Sequence, residues 1–217
     1  MSESAPKPVR TGQAHKRADI LTAARDLFVE SGVDRVSMDA IAARAGVSKR
    51  TVYDYYGDKR RLLLDVIEDA GQGALSRVRE LVAQHLPDDI GDRIELERAL
   101  SGFAGELGAS QFGSTNYIAA VRLIAENEAL LPELEDHPLD DAHADALAER
   151  FARLADQGLL DVEDARLAAA HFSALTTLRV LNEPLRRRSD ADHVRRTMID
   201  GARTFLRAYA SRHAESA

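Results

Sequence analysis

The chain has 217 residues, of which 45% are hydrophobic and 30% charged, a composition typical of a globular protein rather than a disordered or membrane-spanning one. It contains no cysteine, which excludes disulfides, thiolate metal sites and a cysteine nucleophile. Its net charge of -7, taken over the whole chain, argues against a nucleic-acid partner, because an acidic protein repels phosphate. The absence of a long apolar run predicts a soluble, cytoplasmic protein.

Apolar residues recur with helical periodicity throughout, and four helices are predicted in the first 70 residues. Gly32 ends the first of them, as a glycine that follows a helix C-terminus does. Ser37 and Ser48 cap the short second and third helices, with Gly46 in the turn between them. Asp58 caps the longer fourth helix. The apolar stripe of the first helix consists of Ile20, Ala23, Ala24, Leu27 and Phe28.

Longer helices are predicted at about residues 92–107, 112–130, 138–157, 163–182 and 190–212, and residues such as Gly108 and Pro184 are expected to separate them. The fold class is therefore all-α, with about nine helices in total. We expect a disordered N-terminal tail at 1–13 and a three-helix helix-turn-helix DNA-binding domain at 14–60. A C-terminal helical bundle for ligand binding and dimerisation follows at 61–212, with a short tail at 213–217.

The charge is distributed unevenly along the chain. Residues 1–63 contain 12 Lys and Arg against 8 Asp and Glu, a net charge of +4, whereas residues 64–217 carry a net charge of -11. Six of the basic residues lie between Ile41 and Arg61, on a small helical unit. Such a patch is typical of a nucleic-acid-binding module, and a solvated basic face is the alternative.

The spacing of the second and third helices favours the first interpretation. They are joined by the turn Ala45-Gly46-Val47, which matches a helix-turn-helix. Gly46 suits such a turn because glycine adopts positive φ without a Cβ penalty. The second helix of this motif enters the DNA major groove through its N-terminal residues, here Ser48 to Thr51.

The segment Ala45-Gly-Val-Ser-Lys-Arg-Thr-Val-Tyr53, followed by Asp58-Lys-Arg-Arg-Leu-Leu63, is a specific signal. Through it, residues 15–65 resemble the tetracycline-repressor (TetR) family of bacterial regulators. The stretch from Tyr117 to Leu134 resembles the AefR-like ligand domains of that family. The resemblance implies a homodimeric repressor that binds palindromic operator DNA and is released by an apolar or amphipathic small-molecule effector.

Single residues receive roles from chemistry and from this resemblance. Lys49 and Arg50 are expected to contact phosphate or guanine, because Arg binds guanine O6 and N7 with two hydrogen bonds. The resemblance assigns phosphate contacts to several hydroxyl groups and to Lys59, at the positive end of the fourth helix. Tyr56 is expected in the core, and Asp54 either pairs with Arg50 or accepts from a cytosine amino group. The full set of predicted DNA contacts is Ser37, Arg44, Ser48, Lys49, Arg50, Thr51, Tyr53, Tyr55 and Lys59.

In the larger domain, aromatic and apolar residues are core by default, and the resemblance implies that some line a ligand cavity. Small residues on one helix and apolar residues on the last helix suggest a two-fold interface, with packing inside one chain as the alternative. The candidate pocket residues are Phe103, Phe112, Tyr117, Phe151, Phe172, Leu175 and Thr176. The candidate dimer residues are Ala169, Ala170, Ser173, Ala174, Val194, Met198, Ala202 and Phe205.

Two acidic segments raise the alternative of an enzyme. Asp88-Asp-Ile-Gly-Asp92 has the DDxxD pattern that holds Mg²⁺ in diphosphate-processing enzymes, but Pro87 and Gly91 favour a loop and a helix cap instead. A second segment has metal-ligating residue types, but an acidic helix start explains it better. We therefore predict no enzyme activity, cofactor or metal site. After a regulator and an enzyme, the third functional class considered is a helical adaptor protein that binds other proteins through its bundle. The second segment contains His137, Asp140, Asp141, His143 and Asp145.

Overall fold

The computed structural model describes residues 11–127 and 138–211 and confirms the all-α class. The described residues form two compact units, one of residues 11–69 with 119–127 and the other of residues 70–118 with 138–211. Within these ranges, no helix is long and apolar enough to cross a membrane. The tail predicted at 213–217 lies outside the described residues.

The first unit contains the helices that the N-terminal sequence predicts. The first helix begins at Thr11, so the last three residues of the predicted tail are helical, and residues 1–10 lie outside the described residues. Most of the expected apolar stripe of this helix is buried, as predicted. The elements are α1 (Thr11–Ser31), a 3-10 helix (Val33–Arg35), α2 (Met38–Arg44), α3 (Lys49–Tyr56) and the beginning of α4 (Lys59–His85).

This unit extends beyond residue 60, where the sequence places the domain boundary. Asp65 on α4 is buried, and its carboxylate lies 3.5 Å from Nη2 of Arg17 on α1. The same carboxylate lies 2.9 Å from Nε of Arg61, one turn earlier on α4. A buried carboxylate requires such partners, so the beginning of α4 is held against α1.

The remaining predicted helices form, but some of them end at other residues than the sequence predicts. The helix predicted over 163–182 is interrupted at Thr176, whose φ of -116° and ψ of -90° are not helical. The buried hydroxyl of Thr176 donates to the carbonyl of Phe172 at 2.6 Å, which satisfies it at the break. The helices are α5 (Arg93–Phe112), α6 (Thr115–Asn127), α7 (Pro138–Asp156), α8 (Ala165–Leu175), α9 (Thr177–Leu181), α10 (Leu185–Arg188) and α11 (Ala191–Tyr209).

Gly108 does not separate two helices, contrary to the sequence prediction. It lies inside α5, which packs along α11. A Cβ atom at this position would be 2.7 Å from Cγ of Met198 and 3.2 Å from Cγ1 of Val194. The glycine is therefore explained by the close approach of two helices rather than by a helix end.

The loop between α4 and α5 is held by Arg150, a fully buried side chain of α7. Its guanidinium donates to the carbonyl of Leu86 at 2.7 Å and to that of Pro87, and lies 3.1 Å from a carboxylate oxygen of Asp88. Burial lowers the pKa of Arg150 from its usual value, and Asp88 opposes this shift. Sequence alone gives no reason to expect a buried arginine here, because arginine is mostly exposed.

The DDxxD segment has the structural role that the sequence favours. Asp88 is bound to Arg150, and Asp92 caps α5 by accepting from the backbone N–H of Glu95 at 2.8 Å. In the described part of the chain, no group of three or more acidic, histidine or cysteine residues is arranged to hold a metal ion. Of the second acidic segment, Asp145 pairs with Arg166 at 2.6 Å, and the side chains of residues 137–143 are outside the described set.

Replacing Gly108 with Ala should lower the free energy of unfolding by about 1–3 kcal/mol, because the added methyl overpacks the contact with Met198. The matched control is Gly73→Ala, at an exposed position of α4 where no atom lies within 4 Å of the added Cβ. That control should raise the free energy of unfolding by about 0.5–1 kcal/mol through helix propensity. Urea unfolding measures both, and equal effects of the two substitutions would contradict the packing explanation.

Candidate nucleic-acid interface

The helix-turn-helix forms as its local sequence dictates. Oγ of Ser37 accepts from the N–H of Ala40 at 3.1 Å and caps α2, and Oγ of Ser48 accepts from the N–H of Thr51 at 3.0 Å and caps α3. Gly46 in the turn has a φ of 65°, the positive value for which glycine is suited. These three features confirm the turn and both helix starts expected from the sequence.

The packing of α2 on α3 leaves one face of α3 open to solvent. Apolar side chains between the two helices are buried, with Ile41 and Val52 fully so. Arg50, at the beginning of α3, is 90% exposed, and its Nε lies 3.6 Å from the carboxylate of Asp54 one turn later. This pair confirms one of the two roles that the sequence suggested for Asp54. The exposed or half-buried residues at this surface are Ser48, Lys49, Arg50, Thr51, Tyr53, Asp54 and Tyr55.

Lys49 is bound to a carboxylate that sequence reasoning did not single out. Its Nζ lies 2.8 Å from Oδ1 and 3.0 Å from Oδ2 of Asp39, in the first turn of α2. The hydrogen bond and the charge of Asp39 raise the pKa of Lys49 above its ordinary value. The same ammonium lies 5.9 Å from the ring centroid of Tyr53. The ten-residue spacing across the turn could have revealed this pair, because the motif brings the beginnings of α2 and α3 together.

The three tyrosines of α3 occupy different environments. Tyr53 and Tyr55 are exposed, whereas Tyr56 is buried in the core of the unit as expected. The hydroxyl of Tyr56 donates to the carbonyl of Arg17 at 3.3 Å, and burial raises the pKa of Tyr56. Tyr53 and Tyr55 are therefore the two that are accessible to a ligand.

Lys59 has a different environment from the one expected of a phosphate ligand. Its Nζ donates to the backbone carbonyls of Val33, Asp34 and Val36, at 2.7, 3.1 and 3.0 Å. An ammonium has three hydrogens, so all of its donors are used inside the protein. The predicted phosphate contact of Lys59 is inconsistent with this arrangement and is replaced by a role in holding α4.

Arg44 at the end of α2 is also paired. Its Nη2 lies 3.0 Å from Oε2 of Glu30 on α1, and both side chains are about half exposed. Exposed pairs of this kind break readily, so Arg44 remains able to reach a phosphate.

Comparison with known proteins identifies this arrangement. Residues 20–66 match the family model for bacterial regulatory proteins of the tetR family, and residues 106–211 match that for the C-terminal domain of AefR-like transcriptional repressors. The chain is also 30% identical to the transcriptional activator FasR of Mycolicibacterium smegmatis, over 77% of this chain and 71% of FasR. This chain belongs to the TetR family.

Solved structures share the fold of this TetR-family protein. A TetR-family regulator from Mesorhizobium loti has a TM-score of 0.75 at 24% identity, over 93% of this chain and 100% of that one. SmeT, the repressor of a multidrug efflux pump of Stenotrophomonas maltophilia, has a TM-score of 0.67 in its triclosan complex, at 20% identity over 92% of this chain and 93% of SmeT. The chain is thus a DNA-binding transcriptional regulator and, as its family indicates, not an enzyme.

The candidate pocket residues of this TetR-family regulator are largely core. Phe103, Phe151 and Phe172 are buried and in ring contact, with centroids 5.9 Å apart for Phe103 and Phe172 and 5.7 Å for Phe151 and Phe172. Thr176 is fully buried and bonded to the backbone, as described above. These four side chains fill space rather than line a cavity. Phe112, Tyr117 and Leu175 are partly buried; Phe112 and Tyr117 meet edge to face, and burial raises the pKa of Tyr117.

An open groove lies elsewhere in the same unit, between α4 and α7. Its volume is about 720 Å³, and both apolar and charged residues line it. The apolar lining residues include Val82, Ala83, Leu86 and Ala146, and the charged ones include Arg79, Glu149 and Arg153. Sequence periodicity did not indicate this groove, because the groove depends on where two helices lie in the fold and not on the pattern of either one.

Five of the candidate dimer residues are buried inside the protomer. Val194, Met198, Ala202 and Phe205 face α5 and α8, and the Phe205 ring stacks on Phe151 at 4.9 Å. Ala169 is likewise buried. These residues cannot contribute surface to an interface, so packing within one chain, the alternative interpretation, holds for them. Ala170, Ser173 and Ala174 remain exposed or half-buried on α8.

Replacing Lys59 with Met should lower the free energy of unfolding by about 1.5–3 kcal/mol, because carbonyls bonded to a charged donor lose it. The logarithmic salt dependence of DNA binding should keep its slope, because no phosphate contact is removed. Urea unfolding and DNA titrations at several salt concentrations measure the two effects. A slope reduced by about one, with unchanged stability, would restore the phosphate contact.

Proposed function

We propose that this TetR-family regulator is a homodimeric repressor that binds a palindromic operator and dissociates when a small-molecule effector binds its larger unit. The observation that carries the proposal is the solvent-exposed beginning of α3, where Arg50 and Lys49 project beside a Ser48 cap. Arginine at this position suits guanine O6 and N7 in the major groove. The match of residues 106–211 to a repressor domain favours repression, although FasR is an activator.

The other predicted contacts fit the DNA backbone. Ser37, Ser48, Thr51 and Tyr53 offer hydroxyl groups on the exposed side of the motif, and Tyr55 offers an exposed ring and hydroxyl nearby. Hydroxyl groups and helix N-termini commonly bind phosphates and set the position of a protein on the duplex. Arg44 adds a cation at the end of α2. These contacts would orient α3, while Arg50 would supply base recognition.

The proposed dimer uses the exposed face of α8 and α9. Leu167 on α8 is 51% exposed, with Ala170 and Ala174 following it at helical spacing, and Leu178 on α9 is 47% exposed. Exposed large apolar side chains that cluster mark an interaction surface. A two-fold axis would place this surface against itself, because both partners of such a dimer use the same patch. The α3 helices of the two protomers, which we call the reading helices, would then contact half-sites about one DNA turn apart, or a multiple of that distance.

The groove between α4 and α7 is the proposed effector site. Its mixture of apolar and charged lining residues suits an amphipathic molecule, with the apolar part against Val82 and Ala83. SmeT, which shares this fold, binds triclosan, a small apolar compound, and this supports a small, partly apolar effector. An effector shifts the DNA-bound population only by the difference between its affinities for the two states.

DNA selected from a random pool by the full-length protein should bind about ten-fold or more weakly to the Arg50→Ala variant, because a bidentate contact to guanine contributes ~1–3 kcal/mol. The matched control is Arg122→Ala, which removes an exposed arginine with the same i, i+4 pairing, to Glu126 at 2.7 Å. Fluorescence anisotropy measures both affinities. Equal losses for the two variants would mean that α3 is not the reading helix.

The same selected complex tests the effector. Amphipathic compounds, with triclosan as the first probe, are titrated into the protein–DNA complex, and release at saturating compound is the expected result. Reporter transcription from a promoter that contains the selected sequence should rise on release for a repressor. A fall in transcription would assign this regulator to the activators instead.

The double variant Leu167→Glu, Leu178→Glu should sediment as a monomer at micromolar concentration, because two buried charges per protomer would face each other across the two-fold axis. The control is Ile94→Glu, which changes a 71% exposed apolar residue of α5. The control should remain a dimer. A dimeric double variant, or a monomeric wild type, would contradict the proposed interface.

A further inference from the structure

Asp39 places a negative charge at the surface that binds negatively charged DNA. Its two carboxylate oxygens lie 2.8 and 3.0 Å from Nζ of Lys49, across the turn between α2 and α3. Both side chains are about 60% exposed, so the pair lies in solvent at the beginning of the reading helix. The pair needs an explanation, because a carboxylate weakens any contact with phosphate.

Stability does not explain the pair. An exposed ion pair contributes little to the stability of a folded protein, because water screens the charges and two side chains lose freedom. The first turn of α2 is already capped by Ser37, whose Oγ accepts from the N–H of Ala40. Replacing Asp39 should therefore leave the helix-turn-helix folded.

The pair does change how Lys49 meets DNA. Non-specific binding comes almost entirely from cations that neutralise phosphates and release counterions. A lysine bound to both oxygens of a carboxylate has little net charge to offer a phosphate. Arg50 differs, because its side chain remains 90% exposed beside its 3.6 Å contact with Asp54. The two cations of α3 therefore differ in the charge that they can offer to a phosphate, and the pairing with Asp39 is what reduces the charge offered by Lys49.

At a base edge the same pair is an advantage. One of the three N–H groups of Lys49 remains available for guanine O6 or N7, and a free lone pair of Asp39 accepts from the amino group of a cytosine. The ring of Tyr53, with its centroid 5.9 Å from Nζ, restricts where the ammonium can move. Donor and acceptor are therefore held side by side, as adjoining G and C bases require.

We infer that Asp39 is a specificity-determining residue of the DNA-binding surface, which weakens binding to arbitrary DNA and, through its pair with Lys49, favours operators with G and C at adjoining positions. The inference rests on DNA binding through α3 and assigns to α2 a direct part in selectivity. It predicts that neutralising the carboxylate of Asp39 raises the affinity for arbitrary DNA and lowers the preference for the operator sequence.

The test compares two duplexes of equal length and composition, one selected from a random pool by the wild-type protein and one scrambled. Asp39→Asn should bind the scrambled duplex about 3–10-fold more tightly at low salt, with a salt slope steeper by about one. Its preference for the selected duplex should fall about ten-fold or more, since mismatched recognition of one base pair typically costs that much. Asp39→Glu should restore most of the preference.

The matched control is Glu126→Gln, which neutralises an exposed carboxylate paired with Arg122 on α6. It should leave the preference between the two duplexes unchanged. A new selection with Asp39→Asn should lose a G or C preference in each half-site. An equal gain of affinity for both duplexes, or an unchanged selected sequence, would overturn the inference. Either result would leave binding of the wild type to its selected duplex intact, so the proposed function is tested separately.

Discussion

The arrangement of the first unit depends on the ammonium group of Lys59. The carbonyls of Val33, Asp34 and Val36 belong to a 3-10 helix and the chain after it, and that of Val33 also accepts from the N–H of Val36 at 3.3 Å. Lys59 donates to all three, and this fixes the beginning of α4 against the segment directly before α2. The Ser37 and Ser48 caps then set the positions of the two helices of the motif. The position of the cations at the surface of α3 therefore depends on these polar contacts as well as on the apolar core of the unit.

The helix-turn-helix could be predicted from the sequence because its determinants are local. Ser37, Gly46 and Ser48 act on residues three or four positions away, and the i, i+4 pair of Arg50 with Asp54 needs only the helix itself. The net charge of the whole chain was misleading because it adds a basic N-terminal segment to an acidic remainder, and only the local charge bears on DNA binding. Lys59 was misassigned because its partners lie 23 to 26 residues earlier, beyond the reach of local rules.

The larger unit was less predictable because periodicity identifies an apolar face but not the neighbour that buries it. The face of α11 with Val194, Met198 and Phe205 fits a dimer interface equally well in sequence, and in the structure α5, α7 and α8 cover it. Gly108 was predicted to end a helix, but a glycine can occur either at a helix end or where two helices approach closely. Only the position of Met198 in the structure distinguishes these two explanations. Arg150 gave no signal at all, since its burial depends on carbonyls of a loop more than 60 residues away.

All four lysines of the chain lie within its first 59 residues, and every other cation beyond them is an arginine or a histidine. Reagents that modify amines would therefore attach only at the N-terminal end of the sequence, which contains the helix-turn-helix, leaving the larger unit unlabelled. Within that end, the ammonium of Lys49 is exposed, whereas that of Lys59 is occupied by three carbonyls. Amine chemistry, including acetylation, would thus act chiefly on DNA binding, and a fluorophore or cross-linker placed this way would report on the complex with DNA directly.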